Sequence, residues 1–439
     1  MTKGSRPETK MGRSNLGRSP LNRREFLAAC GLGLTTLNPR AALGAEQAHF
    51  ATPFDRAVEA FMDARKIPGG ALAVVKERRL VYARGYGWAD REKKVPAKPD
   101  SLFRIASLSK PITAVATLQL VEHARLDLEA HAFHRVRLPA VIQPGRKPDA
   151  RLGRITVRHL LQHLGGWDRD KSFDPMFRPR IIAGQVGVPP PASATAVIRY
   201  MLGQQLDFDP GTRYAYSNFG YCVLGRVIEQ VTGRPYAQYV QEKILAPIGI
   251  RRMRMGASLD GQQAAGEVRY YMADNAKTKS VFPGTPQEVP WPYGGFHLEA
   301  MDAHGGWIAS AVDLARFAAA LNDPEHSPLL KPATLQAMWA PPPPPASRKP
   351  DGSLEDYYYG CGWMIRPTGP GRPPNCWHTG SLPGTSTLLV RRWDGLSWAV
   401  LFNQRSDDKK LPDSAIDAAL HLAADAVSHW PAEDLFRRF

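Results

Sequence analysis

Phe103-Arg-Ile-Ala-Ser107-Leu-Ser-Lys110, running into Pro111-Ile-Thr-Ala-Val-Ala-Thr-Leu118, sets a hydroxyl and an amine three residues apart at the head of an apolar stretch. Ile112 to Val121 carries no charge, so it reads as a buried helix. At this spacing the Ser107 and Lys110 side chains share one helix face. A neutral amine held there takes the hydroxyl proton, and the partial positive charge of a helix N-terminus favours the oxygen anion that results. The spacing alone is weak, because Ser406-Asp-Asp-Lys409 repeats it. That copy has two acids inside it and Leu411-Pro412 behind it, the composition of a solvated loop.

Upstream of this stretch, Val58, Phe61 and Met62 have helical spacing over Asp55 to Lys66, and Pro68-Gly-Gly70 stops the helix. Ala71 to Val75 and Leu80 to Arg84 read as two strands joined at Lys76-Glu-Arg-Arg79. Downstream, residues 123 to about 300 change character. Helical patterns at Val157 to His163, Ala194 to Leu202, Phe219 to Val231 and Tyr236 to Leu245 alternate with Pro/Gly-rich loops, and no strand run stands out. Val312 to Leu321 is helical, and Pro341 to Pro345 cannot join a sheet. Strands return at Tyr359 to Ile365, Asn375 to Gly380, Thr385 to Arg391 and Leu396 to Asn403, with Asp394-Gly395 as a hairpin turn between the last two. Ala415 to Val427 closes the chain as a helix. The expected fold class is α/β of the α+β type: an antiparallel sheet built from both chain ends and flanked by helices, with a largely helical second lobe. The sheet lobe spans about 50–122 and 301–439, and the helical lobe about 123–300.

Two further stretches offer chemistry. Pro210-Gly-Thr-Arg-Tyr-Ala-Tyr216-Ser-Asn218 precedes the helix from Phe219. A tyrosine near cations serves as a phenolate base, and an asparagine two residues on binds both an amide and an amine. The plainer alternative is that Ser217 or Asn218 only caps the helix. The other stretch is Cys376-Trp-His378-Thr379-Gly380-Ser381. A strand ending in Thr-Gly lets a substrate approach the backbone, and the amides of Ser107 and Ser381 together form an oxyanion hole. Its alternative is an ordinary strand end before Pro383-Gly384.

Taken in order, Ser107-Leu-Ser-Lys110, Tyr216-Ser-Asn218 and His378-Thr-Gly380 form the triplet Ser-x-x-Lys, Tyr-x-Asn, [Lys/His]-[Thr/Ser]-Gly. The chain closely resembles the serine β-lactamase/penicillin-binding protein-like hydrolases, in the branch of class C β-lactamases, DD-carboxypeptidases, D-aminopeptidases and related (family VIII) esterases. The likeness runs from about Ala57 to Asn403 and takes in Ile155-Thr-Val-Arg-His-Leu-Leu161, Pro210-Gly-Thr212 and Gly305-Gly-Trp-Ile-Ala-Ser-Ala-Val-Asp-Leu-Ala-Arg-Phe317. The resemblance implies the β-lactamase/transpeptidase-like fold and a metal-free, cofactor-free acyl-enzyme mechanism. Within it Ser107 is acylated and Lys110 and Tyr216 transfer protons. Asn218, His378, Thr379 and Gly380 hold the substrate, and the Ser107 and Ser381 amides hold the oxyanion. The substrate is an ester or amide: a D-amino-acid peptide, a β-lactam or a small ester. A non-hydrolytic penicillin-binding or envelope sensor of the same fold is the alternative.

The chain departs from the family in two places. The third motif has His378 where many relatives have lysine, a pattern associated with peptidases and other hydrolases, and it removes a fixed positive charge unless His378 is protonated. His163-Leu-Gly-Gly-Trp-Asp168 stands where relatives usually read His-Thr-Ser-Gly. Other chemistries fit poorly. No glutamate lies between Glu129 and Glu229 to act as the deacylating base of class A β-lactamases. No Gly-x-Ser-x-Gly elbow is present, and Leu160 after His159 breaks the His-Glu-x-x-His zinc signature, so His159 and His163 read as helix-packing residues.

With 439 residues, 43% hydrophobic and 22% charged, the composition is that of a soluble globular protein, and no apolar run reaches the ~20 residues of a membrane span. The net charge is +16, and residues 1–45 hold eight Lys/Arg against Glu8 and Glu25. No basic stripe with interleaved aromatics marks a nucleic-acid binder, so a basic surface suits anionic envelope polymers. Asn22-Arg-Arg-Glu-Phe-Leu-Ala28, a modest apolar stretch to Leu37 and Ala41-Ala-Leu-Gly-Ala45 read as a twin-arginine export signal over residues 1–45, ahead of a hydrolase domain at 46–439 in the periplasm or medium. Too few residues separate Arg24 from Cys30 for a lipoprotein box there. Of the remaining cysteines, Cys361 and Cys376 flank a Pro/Gly turn where they face each other if a hairpin forms, and Cys222 reads as a core residue. Oligomeric state has no signature in the sequence.

Overall fold

The computed structural model describes residues 42–439, with side chains from Pro53 onward. The export signal read from residues 1–45 therefore lies outside the described residues except at its end, which opens helix α1 (Ala42–Arg65). Strands β1 (Gly69–Lys76), β2 (Arg79–Asp90), β3 (Val95–Pro96) and β4 (Phe103–Arg104) follow, then α2 (Ser109–Glu122). The middle of the chain holds α3 (Ala132–Val136), α4 (Val157–Leu161), α5 (Pro179–Val186), α6 (Ala194–Met201), α7 (Asn218–Thr232) and α8 (Tyr236–Val240). After these come β5 (Arg254–Met255), β6 (Lys277–Lys279), β7 (Glu288–Pro290) and β8 (Trp307–Ala309). The last part contains α9 (Ala311–Ala319), α10 (Pro332–Trp339), β9 (Tyr358–Tyr359), β10 (Met364–Arg366), β11 (Asn375–Leu382), β12 (Thr385–Arg391), β13 (Leu396–Phe402) and α11 (Ala415–Asp425).

The main sheet has the order β3-β2-β1-β13-β12-β11-β10-β9. Its neighbours are antiparallel, and the first strand pairs with the last, Gly70 opposite Phe402 and Lys76 opposite Leu396. Strand β1 is apolar at nearly every position because both its faces are covered. Leu72 and Val74 pack with Phe54 and Val58 of α1 and Leu420 of α11. Ala71, Ala73 and Val75 point to the opposite core, which also contains Ala311, Ala315 and Ala318 of α9. Small side chains on both partners let that helix approach the sheet closely. Each fully buried Val, Leu or Phe in these layers contributes roughly 1.5–3 kcal/mol, and Asn403 ties the seam by accepting from the Gly69 amide at 2.8 Å and donating to Trp88 O at 3.0 Å.

The sheet joined from both ends and the helical middle agree with expectation, with three corrections. Residues 254–290 carry three short strands where none was expected; β5 pairs with β8, and β6 with β7. Two or three residues are too few to show alternation. The strand expected from Tyr359 to Ile365 is two short strands, because Gly362 has φ +83° and breaks the extended run. Cys361 and Cys376 are both buried free thiols, since Cys376 lies opposite Ile365 rather than Cys361. Among the described residues no helix is long and apolar enough to cross a membrane.

Candidate active site

The turn Ala106–Leu108 is a short 3-10 segment leading straight into α2. Ala106 sits at φ +49°, an unfavourable left-handed conformation for a residue with a Cβ. Neighbours hold it there: Ile105 N donates to Trp307 O at 3.0 Å, and Ser109 Oγ to Ala106 O at 2.7 Å. Arg104, fully buried, anchors the approach by donating to Pro292 O and Ala257 O with its guanidinium 4.3 Å from the Tyr270 ring.

Lys110 occupies the first turn of α2 and is fully buried. Its Nζ lies 3.0 Å from Ser107 Oγ, 2.8 Å from Asn218 Oδ1 and 3.0 Å from His304 O. Burial, with help from the nearby Arg169 charge, pulls its pKa well below the ordinary lysine value against a smaller opposing pull from Asp174. A neutral amine has two hydrogens and one lone pair. Asn218 Oδ1 and His304 O can only accept, so they take the two hydrogens and leave the lone pair for the Ser107 hydroxyl.

Tyr216 comes from the loop before α7, and Asn218 opens that helix. Ser217 is the N-cap, accepting from Gly220 N at 3.3 Å, so the capping alternative is correct for that residue. The residues on either side of it turn to the site. Asn218 bridges Lys110 and Asp174, donating from Nδ2 to Asp174 Oδ2 at 2.6 Å. The Tyr216 hydroxyl bonds Ser107, and its ring centroid is 4.7 Å from Lys110 Nζ. Burial pushes its pKa up to about 12, outweighing the Ser107 bond and the Arg169 charge. Tyr216 is therefore a phenol at neutral pH, not the phenolate expected from the sequence, because burial disfavours the anion more than the Ser107 bond and the Arg169 charge favour it.

Strand β11 forms the far wall. His378, Gly380 and Leu382 are buried while Thr379 and Ser381 face outward. A Cβ on Gly380 would lie 2.4 Å from Ile105 O and 2.2 Å from Thr387 Oγ1, so glycine is what lets the strand touch the Ser107 turn. Ser381 follows that contact directly. His378 Nδ1 is 2.6 Å from Thr379 O and Nε2 is 2.9 Å from the Tyr359 hydroxyl. A carbonyl only accepts, so Nδ1 carries the proton and Tyr359 donates to Nε2. Burial above all lowers the His378 pKa to about 3, so His378 does not replace the missing lysine charge at neutral pH.

Five residues that the sequence reading did not place in the site join it: His304, Asp174, His163, Tyr359 and Arg169. The β4–β8 pairing, Phe103 opposite Ala309, carries His304 O to Lys110. His163, taken from its spacing as a packing residue, lies just past the end of α4 at φ +57° and accepts from Ser217 N at 3.2 Å. Its ring stands 4.4 Å from Tyr216 and 4.3 Å from Tyr359. Arg169 is exposed, with its guanidinium 4.8 Å from the Tyr216 ring centroid. The second Ser-x-x-Lys copy is a loop at Ser406 with Lys409 exposed. Among the described residues no three His, Cys, Asp or Glu side chains gather as metal ligands would.

A family profile described as Beta-lactamase matches residues 54–423. The chain belongs to the Beta-lactamase family. This is a family of serine hydrolases, and the sheet and helices described above are its β-lactamase/transpeptidase-like fold. Among family relatives, the chain is 25% identical over 367 residues to penicillin-binding protein 4* of Bacillus subtilis, covering 80% of this chain and 72% of that one. It is 32% identical over 224 residues to the esterase EstB of Burkholderia gladioli, 49% of this chain and 54% of that protein. In three dimensions it resembles the octameric penicillin-binding protein homologue from Pyrococcus abyssi, with TM-score 0.64 and 25% identity over 85% of this chain and 76% of that one.

Proposed function

We propose that this chain is an exported serine hydrolase that forms an acyl-enzyme at Ser107 and acts on an ester or amide. The observation that carries the reading is Lys110, buried, with its pKa held well below the ordinary lysine value and its Nζ 3.0 Å from Ser107 Oγ, its other two bonds committed to acceptors. Ser107 Oγ attacks the substrate carbonyl as its proton passes to Lys110 Nζ. The carbonyl oxygen takes the negative charge against the Ser107 and Ser381 amides. Tyr216, a phenol, gives its proton to the leaving alcohol or amine and regains one from Lys110. Water then adds to the acyl carbonyl by the reverse relay, releasing the acid and restoring Ser107. Asn218, His378, Thr379 and Gly380 hold the substrate along the strand.

Substrates of this chemistry include D-amino-acid peptides, β-lactams and small esters, and the penicillin-binding and esterase names of the relatives support that range. The purified mature chain is to be tested side by side with short-chain nitrophenyl esters, a chromogenic cephalosporin and a D-alanyl-D-alanine peptide, with intact-mass detection of the adduct. Ser107→Ala is expected to abolish turnover and labelling together. Turnover retained in that variant sinks the proposal, and a penicillin adduct that persists with no substrate turned over points to a sensor instead. Export by the twin-arginine leader is checked by fractionation, with Arg23-Arg24→Lys-Lys expected to keep the protein inside the cell.

A further inference from the structure

The stretch His163-Leu-Gly-Gly-Trp-Asp168 delivers Arg169 to the mouth of the site. Gly166 has φ +102° and a Cβ there would lie 2.8 Å from Phe208 O, so the turn depends on glycine. The loop beyond it is pinned at several points. Asp168 N donates to Asp207 Oδ2 at 2.8 Å, and Arg213 donates to Asp168 Oδ2 at 2.8 Å. Ser172 Oγ lies 2.9 Å from Asp207 Oδ2 and 3.0 Å from Asp168 O, with one hydrogen to give to either acceptor.

Arg169 itself has no ion-pair or hydrogen-bond partner among the described residues. Its guanidinium carbon lies 4.8 Å from the centroid of the Tyr216 ring. Adding half a phenol and one hydrogen bond puts the guanidinium within about 10 Å of Ser107 Oγ. The acids close by are otherwise engaged: Asp168 with Arg213, and Asp174 with Asn218 Nδ2 and Met176 N. Asp170 is exposed on the same loop. A planar guanidinium on a fixed loop, open to solvent, matches a carboxylate in two-point geometry.

We propose that Arg169 is the specificity-determining residue that selects substrates bearing a carboxylate a few bonds from the reacting carbonyl. The proposal rests on the acyl-enzyme reading above. It assigns to the helical side of the pocket a charge that strand β11 does not supply.

The test uses two substrates of one length, the 4-nitrophenyl hemiester of adipic acid and its methyl-capped counterpart, which differ in the distal charge. The wild type is expected to favour the acid in kcat/KM by about fivefold or more at low salt, the order of a partly exposed ion pair, and less as salt rises. Arg169→Ala is expected to erase that ratio, Arg169→Lys to keep part of it and Arg169→Glu to reverse it. A ratio unchanged in Arg169→Ala, or both esters slowed equally, overturns the assignment, since loss of support for Tyr216 alone would slow both. The acyl mass on Ser107 is read in each variant. Labelled Ser107 with an unchanged ratio sinks Arg169 alone, whereas turnover of both esters by Ser107→Ala sinks the reading beneath it.

Discussion

Tyr359 is the residue through which the histidine of the third motif is set. Its hydroxyl donates to His378 Nε2 and leaves Nδ1 to carry the proton. Replacing it with phenylalanine leaves a buried acceptor unpaired, at about 1–3 kcal/mol. Tyr359→Phe is expected to lower kcat/KM about tenfold with Ser107 still acylated, and to move the His378 ring resonances in the NMR spectrum. A single residue also fixes the acid limb of the rate. Lys110 must be neutral to act as base, so activity is lost as pH falls through its depressed pKa, while Tyr216, near 12, stays protonated through the alkaline range. The kcat/KM profile is expected to show one acid limb, below the ordinary lysine range, and no alkaline limb short of about pH 11. A profile rising through pH 10 contradicts a neutral Lys110.

Among the elements, β11 and the Ser107 turn act as one unit because Gly380 has no side chain. Gly380→Ala drives a methyl into Ile105 O and Thr387 Oγ1. The expected cost is about 1–3 kcal/mol of stability, together with loss of acylation as the strand moves away from the turn; denaturant melts and adduct mass measure the two separately. This scale also explains what could be read in advance. Ser107 and Lys110 were legible because both lie in one helical turn, and the second and third motifs because each is continuous in sequence. His304, Asp174, Tyr359 and Arg169 come from four separate loops and strands and meet only through tertiary packing, which leaves no local period. His163 had a signal, the departure of its stretch from the family, but its spacing from His159 suggested a plain helix face. The break between β9 and β10 was marked by Gly360 and Gly362, while the strands of two or three residues in 254–290 carry no pattern at all.

At the scale of the whole molecule, three buried histidines steepen a response to acid that neutral Lys110 already sets below the ordinary lysine range. Burial above all depresses His163, His304 and His378. Each is neutral in the folded state well below pH 6.5, whereas the unfolded chain binds a proton at each near that pH. The unfolded state thus holds more protons, and stability falls more steeply as pH drops below about 6.5. The three histidines contribute about 4 kcal/mol per pH unit once all three differ, about 1.36 kcal/mol for each, in addition to whatever slope Lys110 contributes while it stays neutral in the fold. Denaturation midpoints between pH 7 and 4 measure it, and a flat profile would contradict neutral burial of the three.

The seam between β1 and β13 also has a consequence in time. Gly70 pairs with Phe402, so the central strand of the sheet has no neighbour on that side until nearly the whole chain has been synthesised. Contacts this distant in sequence close slowly, and an apolar strand that waits for its partner is exposed to aggregation. Nascent chains halted after Arg391 are expected to remain protease-sensitive and chaperone-bound, and chains extended past Phe402 to become resistant in one step. The site at Ser107 would then assemble late and all at once, after the emergence of the strand that closes the sheet.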